Sequence, residues 1–389
     1  MADRPTTIPT WATDTTYTSG VGDGNPTKLT PSASVQTQGY NWQDQLPAPF
    51  YNWQLNLIGK WLENLAKQSA LLKAANALGP MDINTGSTWE QIQIGIKYSS
   101  TTDSFFLVAD DGTDLVIYES AEGHIWDVGD SPAHADAVFA CAIGIDDDND
   151  RIMIGAGTTC QTKSGIARTG FSGATSFTNS VFDIIYVERL GLWVAGVGDP
   201  TSGIETSDDF GATWTQRATS GVFVTTLIDT GTTLVGLGDG AGGEVVYSTD
   251  GTSWTAVDTA ANALYHGAYE PVNGIIVAAN ETLVLLSDDD GATWSDITPA
   301  VGFFQESPTV VVEADYIMLI TNSFSGENTG IALVSTDLGA TWDAGPSPYL
   351  RIDFAGYLGA RIAKHPSGYW VAGLVDSAND LLAYRYFAG

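Results

Sequence analysis

A short motif recurs four times in the second half of the chain, and it constrains the fold more than any other feature. Its copies are SDDFGATW at 207–214, STDGTSW at 248–254, SDDDGATW at 287–294 and STDLGATW at 335–342. Each copy lies between short apolar runs bounded by Gly, Asp, Asn and Thr, which is typical of antiparallel strands joined by tight turns. A motif that returns at such intervals indicates an architecture built from one repeated unit.

Three weaker copies extend the series toward the N-terminus. They keep Gly and a closing aromatic residue, and they are DINTGSTW at 82–89, SAEGHIW at 120–126 and TGFSGATSF at 169–177. We interpret all three as turns of the same kind. The closing aromatic residue then occurs seven times, as Trp89, Trp126, Phe177, Trp214, Trp254, Trp294 and Trp342.

A second pattern, which does not include the motif, also occurs seven times. Three or four bulky apolar residues follow a small or polar residue in the runs at 103–110, 150–157, 190–198, 232–238, 273–280, 315–322 and 367–374. Four strands in a repeat of about 40–45 residues are the signature of a β-propeller. The predicted fold is therefore all-β, a seven-bladed β-propeller over 80–389, with each motif between the third and fourth strands of a blade.

The two ends of the repeat predict how the ring closes. After Trp342 the chain supplies strands near 350–356, 368–375 and 381–387 and then stops, whereas the strand WEQIQIGI that starts at Trp89 has no partner strands before it. We expect this N-terminal strand to complete the last blade, because closure removes the exposed sheet edges.

The motif resembles the Asp-box, or BNR repeat, of sialidase-like β-propellers. A structural role is expected, because Asp can accept N–H bonds across a tight turn, Gly supplies a positive φ, and the Trp ring can pack between sheets. The predicted structural residues are Ser207, Asp209, Gly211, Thr213, Trp214, Ser248, Asp250, Gly251, Trp254, Ser287, Asp289, Gly291, Thr293, Trp294, Ser335, Asp337, Gly339, Thr341 and Trp342.

The resemblance concerns the turns and does not extend to a sialidase active site. That family needs three arginines converging on the substrate carboxylate, a Tyr–Glu pair as the nucleophile and an Asp as the acid–base residue. This arginine set is not recognisable among the eight arginines. We therefore predict no catalytic residue and a protein that is not an enzyme. The 46 Asp and Glu residues still leave a pair of glycosidase carboxylates as an alternative.

Charge and hydropathy exclude several classes of partner. The chain has 15 Lys and Arg against 46 Asp and Glu, a formal net charge of −31, which repels nucleic-acid phosphates. No apolar run of about 18 residues occurs, so no membrane span is predicted. The segment MADRPTTIPTWATD lacks the apolar core of a secretory signal, so no signal peptide is predicted.

The cysteines and one acidic loop were candidates for special chemistry. A hairpin that turns near Asp148 makes residue 156 the cross-strand neighbour of Cys141, so Cys141 and Cys160 are expected to be two separate buried thiols. The loop from Asp146 to Asp150 could hold Ca²⁺ through its carboxylates, but an acidic turn between two strands needs no ion. No other cofactor is predicted.

The first 79 residues differ in kind from the repeat. Residues 1–49 are rich in Thr, Ser, Gly, Pro and Asn without a steady period, which predicts an extended arm that becomes ordered on a partner. Residues 50–79 lack Pro and end in Gly, and Ile58, Leu65 and Leu72 are spaced by seven, which predicts a helix. That helix is interpreted as an oligomerisation stalk of a homotrimer, or alternatively as docked on its own propeller.

The N-terminal region resembles the attachment segments of tailed-phage virion proteins, tail fibres and spikes in particular. The matching positions are Trp11, Pro26, Lys28, Pro31, Gly39, Pro47, Asn52, Trp53 and Trp61. The resemblance implies a bacteriophage tail protein that is assembled in the host cytoplasm and contacts other virion proteins through Trp11, Trp42, Trp53 and Trp61.

The expected function is a structural one, presentation of a receptor-binding propeller head for host attachment, with a host-surface glycan as the ligand. Contact is expected at propeller loops, including insertions near 157–166 and 322–330, and at the aromatic residues Tyr269, Phe303, Phe304, Phe324 and Tyr349. The alternatives are a polysaccharide-degrading tailspike enzyme and a decoration or adaptor protein without enzymatic activity.

Overall fold

The computed structural model of the chain consists almost entirely of short β-strands. It describes residues 81–82, 94–110, 114–123, 125–131, 140–199, 201–240, 243–259, 261, 263–300, 308–314, 316–322, 330–344, 361–375 and 381–387. Within these ranges the one helical element is a 3₁₀ turn at Glu188–Leu190, and no helix there has the length and apolar character to cross a membrane. The predicted arm over 1–49 and helix over 50–79, with Trp11, Trp42, Trp53 and Trp61, lie outside the described residues.

The strands form seven sheets of four antiparallel strands each, which we number in chain order as sheets 1 to 7. Strand β1 (Met81–Asp82) comes first in the chain and belongs to sheet 7. Sheet 1 contains β2 (Gly95–Ser99), β3 (Ser104–Asp110), β4 (Leu115–Ser120) and β5 (Asp127–Val128). Sheet 2 contains β6 (Cys141–Asp146), β7 (Arg151–Ala156), β8 (Thr159–Ser164) and β9 (Ser172–Ser176). Sheet 3 contains β10 (Val181–Val187), β11 (Leu192–Val197), β12 (Ile204–Ser207) and β13 (Thr215–Arg217).

The remaining sheets follow the same plan. Sheet 4 contains β14 (Val222–Asp229), β15 (Leu234–Gly240), β16 (Val245–Ser248) and β17 (Thr255–Val257). Sheet 5 contains β18 (His266–Glu270), β19 (Ile275–Ala279), β20 (Val284–Ser287) and β21 (Ser295–Asp296), and sheet 6 contains β22 (Thr309–Glu313), β23 (Tyr316–Asn322), β24 (Gly330–Ser335) and β25 (Asp343–Ala344). Sheet 7 contains β26 (Arg361–Lys364), β27 (Tyr369–Val375) and β28 (Leu381–Phe387) with β1.

The second strands are largely apolar, and the fourth strands of sheets 1, 3 and 5 are largely exposed. All seven apolar runs found in the sequence form second strands, namely β3, β7, β11, β15, β19, β23 and β27. Every residue of β19 is buried, whereas both residues of β5 and of β21 are exposed. A strand covered on both faces by neighbouring sheets reads as a continuous hydrophobic run, which explains why these seven were recognisable.

Hydrophobic clusters fill the spaces between sheets that are adjacent in the chain. One cluster lies between each pair of consecutive sheets from sheet 1 to sheet 6. A further cluster joins sheet 1 to sheet 7, where the ring centroids of Phe105 and Tyr369 lie 5.8 Å apart. The core is therefore divided into layers between sheets, and each layer is stabilised by apolar burial.

Sheet 7 combines strands from both ends of the described chain, but the N-terminal strand is not the expected one. Met81 pairs with Ala383 and Asp82 with Leu382, so β1 is the fourth strand. The prediction that the strand WEQIQIGI, which starts at Trp89, fills this place was wrong, because Met81–Asp82 fills it. The last two residues of that run, Gly95 and Ile96, instead begin Gly95–Ser99, the first strand of sheet 1. Strand β3 is a second strand and needs a first strand beside it, and this run supplies it.

The first strand of sheet 7 also differs from its expected position. It is Arg361–Lys364, which pairs with β27, rather than a strand near 350–356. Residues 350–356 and 83–93, with Trp89 and most of the turn at 82–89, lie outside the described residues.

Candidate functional site

The four full motif copies form turns between the third and fourth strands of sheets 3 to 6, and we call these the motif turns. In the turn at 207–214, the Ser207 hydroxyl donates to Asp209 Oδ1 over 2.8 Å and accepts the N–H of Gly211 over 2.8 Å. Asp209 Oδ1 accepts the N–H of Thr213 over 2.8 Å, and Oδ2 accepts the Thr213 hydroxyl over 2.7 Å. Both carboxylate oxygens are therefore bonded within their own turn.

The other motif turns repeat this geometry. In the turns at 287–294 and 335–342, Asp289 and Asp337 each accept the N–H and the hydroxyl of the Thr four residues later, at 2.6–2.8 Å. In the shorter turn at 248–254, Asp250 Oδ1 accepts the N–H groups of Thr252 and Ser253, both over 2.8 Å. A carboxylate saturated in this way stabilises a turn and offers little to a substrate.

These bonds lower the pKa of the motif carboxyl groups. The Thr213 hydroxyl and N–H hold the pKa of Asp209 below its usual range, and Thr341 does the same for Asp337. The N–H groups of Ser253 and Thr252 strongly lower the pKa of Asp250. A hydrogen bond to the charged form of a carboxyl group stabilises that form, so these aspartates stay ionised at neutral pH.

Each motif glycine brings its turn against the preceding sheet. Gly291 has φ 86° and Gly339 has φ 87°, in the left-handed region that favours glycine. A Cβ on Gly291 would lie 3.0 Å from a methyl of Val235 in sheet 4, and one on Gly339 would lie 2.6 Å from Cβ of Ile297, directly after sheet 5. The Trp342 indole N–H donates to the Ile297 carbonyl over 2.8 Å. The motif turns therefore fasten each sheet to its predecessor.

Two of the weaker copies have different outcomes in the described residues. At 120–126 the Ser120 hydroxyl accepts the N–H of Gly123 over 2.8 Å, as in the full motif. The interpretation of 169–177 as a motif turn was wrong, because Ser172–Ser176 is strand β9. This copy has no Asp to collect the N–H groups of a turn. Asp150 performs that role from another loop, since its Oδ1 accepts the N–H of Ile166 over 2.7 Å.

A cavity lies where the first strands of the seven sheets approach one another. Its volume is about 120 Å³, and each of β2, β6, β10, β14, β18, β22 and β26 contributes lining residues. The polar and charged side chains in the lining are Lys97, Asp183, Thr226, His266, Thr309 and Arg361. This cavity is the one feature in the described part of the chain to which every sheet contributes.

Charged groups in the cavity are held by specific partners. Lys97 Nζ lies 3.2 Å from Asp183 Oδ1. Asp183 also accepts the N–H groups of Ile184 and Leu227, each over 2.9 Å. The Arg361 guanidinium donates to Thr226 Oγ1 over 2.7 Å and to the Thr225 carbonyl over 2.9 Å. These bonds connect sheets 1, 3, 4 and 7 across the cavity.

The cavity and the motif turns lie at opposite ends of the strands. Six of the seven first strands line the cavity with residues from their first three positions, as at Cys141–Asp146, which contributes Ala142 and Ile143. In an antiparallel sheet of four strands, the start of the first strand shares an end with the connection between the second and third. The turn between the third and fourth strands lies at the other end. The motif turns are therefore remote from this cavity.

The carboxylates of the acidic loop at 146–150 are engaged by protein groups. Asp147 accepts the Ser99 hydroxyl over 2.5 Å and the Ser100 N–H over 3.0 Å. Asp146 accepts the N–H of Asn149 over 3.0 Å. No cluster of three or more metal-ligating side chains occurs among the described residues. The Ca²⁺ hypothesis for this loop stays a prediction without a preformed ligand set.

Cys141 and Cys160 are both buried and are not joined in a disulfide. Cys141 pairs with Ala156, as the hairpin predicted, whereas Cys160 pairs with Gly155. Burial raises the pKa of Cys160 to about 12. A thiol with so high a pKa is a poor nucleophile. The prediction of two separate buried thiols is confirmed for both residues.

Two expectations about contact loops and rings were wrong. Residues 157–166 are not an inserted loop, because Thr159–Ser164 forms the third strand of sheet 2. Tyr269 is not an exposed ring at a strand end, because it packs against the cluster between sheets 4 and 5. Residues 323–329 and the rings of Phe303, Phe304, Phe324 and Tyr349 lie outside the described residues.

Sequence reasoning missed the charged residues of the cavity. Lys97 and Asp183 are each the single charge of a largely apolar run, IGIKYS and VFDIIYV, and Arg361 opens the short strand RIAK, which also contains Lys364. A charge at the start of a buried strand was a signal available in the sequence, since such residues need a partner inside the fold.

Comparisons with known proteins bear on the fold alone. No protein family model matches the chain, and no curated protein matches it. Among solved structures, a chain titled Kuenenia stuttgartiensis Hydrazine Synthase is similar, with a TM-score of 0.57 and 12% sequence identity. The similarity covers 80% of this chain and 100% of that chain. At this identity, the shared feature is a class of protein with an all-β fold, and no activity transfers.

Proposed function

We propose that residues 80–389 form a seven-bladed β-propeller in which each four-stranded sheet is one blade. Support comes from the clusters that join sheets 1 to 6 in chain order and sheet 7 to sheet 1. The shared cavity bordered by all seven first strands is the feature expected at the axis of such a ring. The presence of both chain ends in sheet 7 supports closure by pairing of the termini.

We propose further that the protein is a structural protein of a tailed-phage virion, of the tail fibre or spike type. In this proposal the N-terminal segment attaches to other tail proteins, and the propeller is presented as a head that binds a host-surface glycan. The N-terminal resemblance supports the attachment role. The helix predicted over 50–79, with Ile58, Leu65 and Leu72 spaced by seven, supports a trimeric assembly.

The observation that carries the binding role is that the motif carboxylates form hydrogen bonds within their own turns. Each is bonded on both oxygens, or to two N–H groups, inside its own turn. The repeated acids therefore stiffen the edge of the head, and contact with a ligand falls to the connections at the cavity end. Connections positioned by a rigid scaffold are where binding residues concentrate.

The proposal is tested with full-length protein on a panel of bacterial surface polysaccharides and on intact bacterial cells. Binding is measured by surface plasmon resonance, and new reducing ends are measured in the same samples. Saturable binding without new reducing ends is the expected result. Release of reducing ends at a catalytic rate would indicate the depolymerase alternative. If the protein binds none of the polysaccharides and none of the cells, a decoration or adaptor protein is favoured.

A matched pair of substitutions tests which end binds. Ser202 lies in the connection between β11 and β12 at the cavity end, and Ser253 is an exposed residue of a motif turn. Ser202→Arg is expected to weaken glycan binding several-fold through steric and charge effects, whereas Ser253→Arg should leave it unchanged. If the two variants bind glycan with equal affinity, the contact surface does not lie at the cavity end.

A further inference from the structure

We infer that the cavity between the seven first strands is a binding site for a compact oxyanion, and that the positively charged side chains of Arg361 and Lys97 bind this anion. This inference is independent of the proposed host-binding role. It rests on the charges, the hydrogen bonds and the size of the cavity.

Arg361 is a half-buried cation in the lining of the cavity. Its two recorded hydrogen bonds go to the Thr226 hydroxyl and the Thr225 carbonyl, both neutral acceptors. No carboxylate of the described residues lies within 4.0 Å of its guanidinium. Within the described part of the chain, three of its five N–H donors therefore have no recorded acceptor, and a guanidinium keeps its charge in such a place.

Burial lowers the pKa of Arg361, and the nearby negative charge of Asp183 acts in the opposite direction. Asp183 is, however, already committed to other donors. It accepts the N–H groups of Ile184 and Leu227 and faces Lys97 Nζ at 3.2 Å. Its charge is shared among three donors, so it compensates Arg361 from a distance rather than by contact.

The sum of charges in the lining is positive. Lys97 and Arg361 carry two positive charges and Asp183 carries one negative charge, which leaves one net positive charge with His266 neutral. The whole chain carries −31. A positive centre inside a strongly acidic protein is a local exception, and a half-buried Arg361 that has no carboxylate partner among the described residues favours an acceptor of opposite charge.

The size of the cavity restricts the class of ligand. A volume of about 120 Å³ has room for a small ion with a few waters and is too small for a sugar chain. Planar N–H donors on a guanidinium match the oxygens of carboxylate, sulfate or phosphate. The ligand class is therefore a compact oxyanion, held on the axis where Arg361 of sheet 7 and Lys97 of sheet 1 meet.

The test is isothermal titration calorimetry of the full-length protein in a buffer whose only anion is chloride. Acetate, sulfate and inorganic phosphate are titrated separately at constant ionic strength. The expected result is saturable binding of at least one of them at a single site. A response to acetate alone would assign a carboxylate ligand, and a response to sulfate or phosphate would assign a tetrahedral one.

Three variants with the same change in charge locate the site. Arg361→Gln and Lys97→Gln are each expected to weaken binding by about tenfold or more, because each removes a charge-assisted hydrogen bond. Arg189→Gln is the control, since Arg189 is bound to Asp229 and to the Thr249 carbonyl on the surface. It should bind like the unmodified protein.

The inference is overturned if none of the three anions binds saturably to the unmodified protein. It is also overturned if Arg361→Gln and Lys97→Gln retain the original affinity. Circular dichroism establishes that each variant is folded. Should Arg361→Gln fail to fold, an unchanged affinity in Lys97→Gln alone is sufficient to reject the site.

Discussion

Single carboxylates in the motif turns illustrate how one side chain can replace several backbone partners. Asp289 accepts the Thr293 N–H over 2.8 Å and the Thr293 hydroxyl over 2.6 Å, and it receives the Ser287 hydroxyl over 2.9 Å. Its neighbour Asp288 is exposed. The two residues have the same charge and adjacent positions, so they form a natural comparison.

We expect Asp289→Ala to lower the free energy of unfolding by about 1–2 kcal/mol, the usual effect of losing a side-chain cap on backbone N–H groups. Asp288→Ala should change it by less than about 0.5 kcal/mol, as is typical of surface substitutions. Chemical denaturation followed by tryptophan fluorescence measures both. Equal destabilisation by the two variants would show that the effect comes from charge and not from the turn.

The lowered pKa of Asp209 predicts the acid sensitivity of its turn. The stabilisation is complete above the unfolded-state pKa of about 3.9 and is lost as the pH falls through the lower pKa of the folded state. An Asp209→Asn variant lacks this titration. The difference in unfolding free energy between the unmodified protein and the variant should therefore shrink as the pH falls from 6 to about 2. A constant difference across this range would contradict the assignment.

Sequence reasoning located the motif aspartates because their pattern is local, with Ser, Asp, Gly and Thr within eight residues. It could not locate the cavity residues in the same way. Lys97, Asp183 and Arg361 belong to three sheets and to positions far apart in the chain, and only the packing of the sheets brings them together. A charge within an apolar run marks each residue separately, but nothing local to any one run shows that the three lie together.

At the scale of elements, the turn glycines connect local geometry to the packing between sheets. Gly339 has φ 87°, and a Cβ there would lie 2.6 Å from Ile297. Gly231 has a similar φ of 89°, but nothing lies within 4 Å of the position of its Cβ. The pair separates backbone strain from steric overlap with the neighbouring sheet.

Gly231→Ala should destabilise the protein by about 1–2 kcal/mol through the left-handed backbone alone. Gly339→Ala should cost about 1–3 kcal/mol more, because Ile297 must move. Thermal unfolding by differential scanning calorimetry gives both values. Should the two variants unfold at the same temperature, the contact between the turn and the preceding sheet would contribute nothing to stability.

The strands differed in how well the sequence predicted them, and burial explains the difference. The second strands were all recognised because neighbouring sheets cover both of their faces. Fourth strands such as Ser295–Asp296 are two exposed residues with no apolar pattern. The copy at 169–177 misled the prediction because it keeps Gly173, Thr175 and Phe177 without the carboxylate that defines the turn.

At the scale of the whole molecule, the number of repeats was evident from the sequence, and the identity of the closing strand was not. Seven second strands implied seven sheets. The position of the N-terminal strand was missed because Met81–Asp82 is only two residues long and has no pattern of its own. The closing strand was instead assigned to a longer run nearby, WEQIQIGI at 89–96.

The proposed stalk makes a prediction about assembly. Full-length protein is expected to have the mass of a trimer by light scattering, and a fragment of residues 80–389 is expected to have the mass of a monomer, because the apolar stripe at 50–79 is what associates. A control with Leu65 and Leu72 changed to Gln in the full-length chain should also be monomeric. A monomeric full-length protein would instead support docking of the helix on its own propeller.

The pairing of Met81 with Ala383 has a consequence for synthesis on the ribosome. The two partners are separated by roughly 300 residues, so the first strand emerges long before the strand that it needs, and contacts at such separation form slowly. The nascent chain can complete its inner layers one after another, but sheet 7 keeps an unpaired edge until β28 has been synthesised. Pairing of β1 with β28 therefore comes late, and ribosome stalling before β28 would leave every other sheet buildable and this one open.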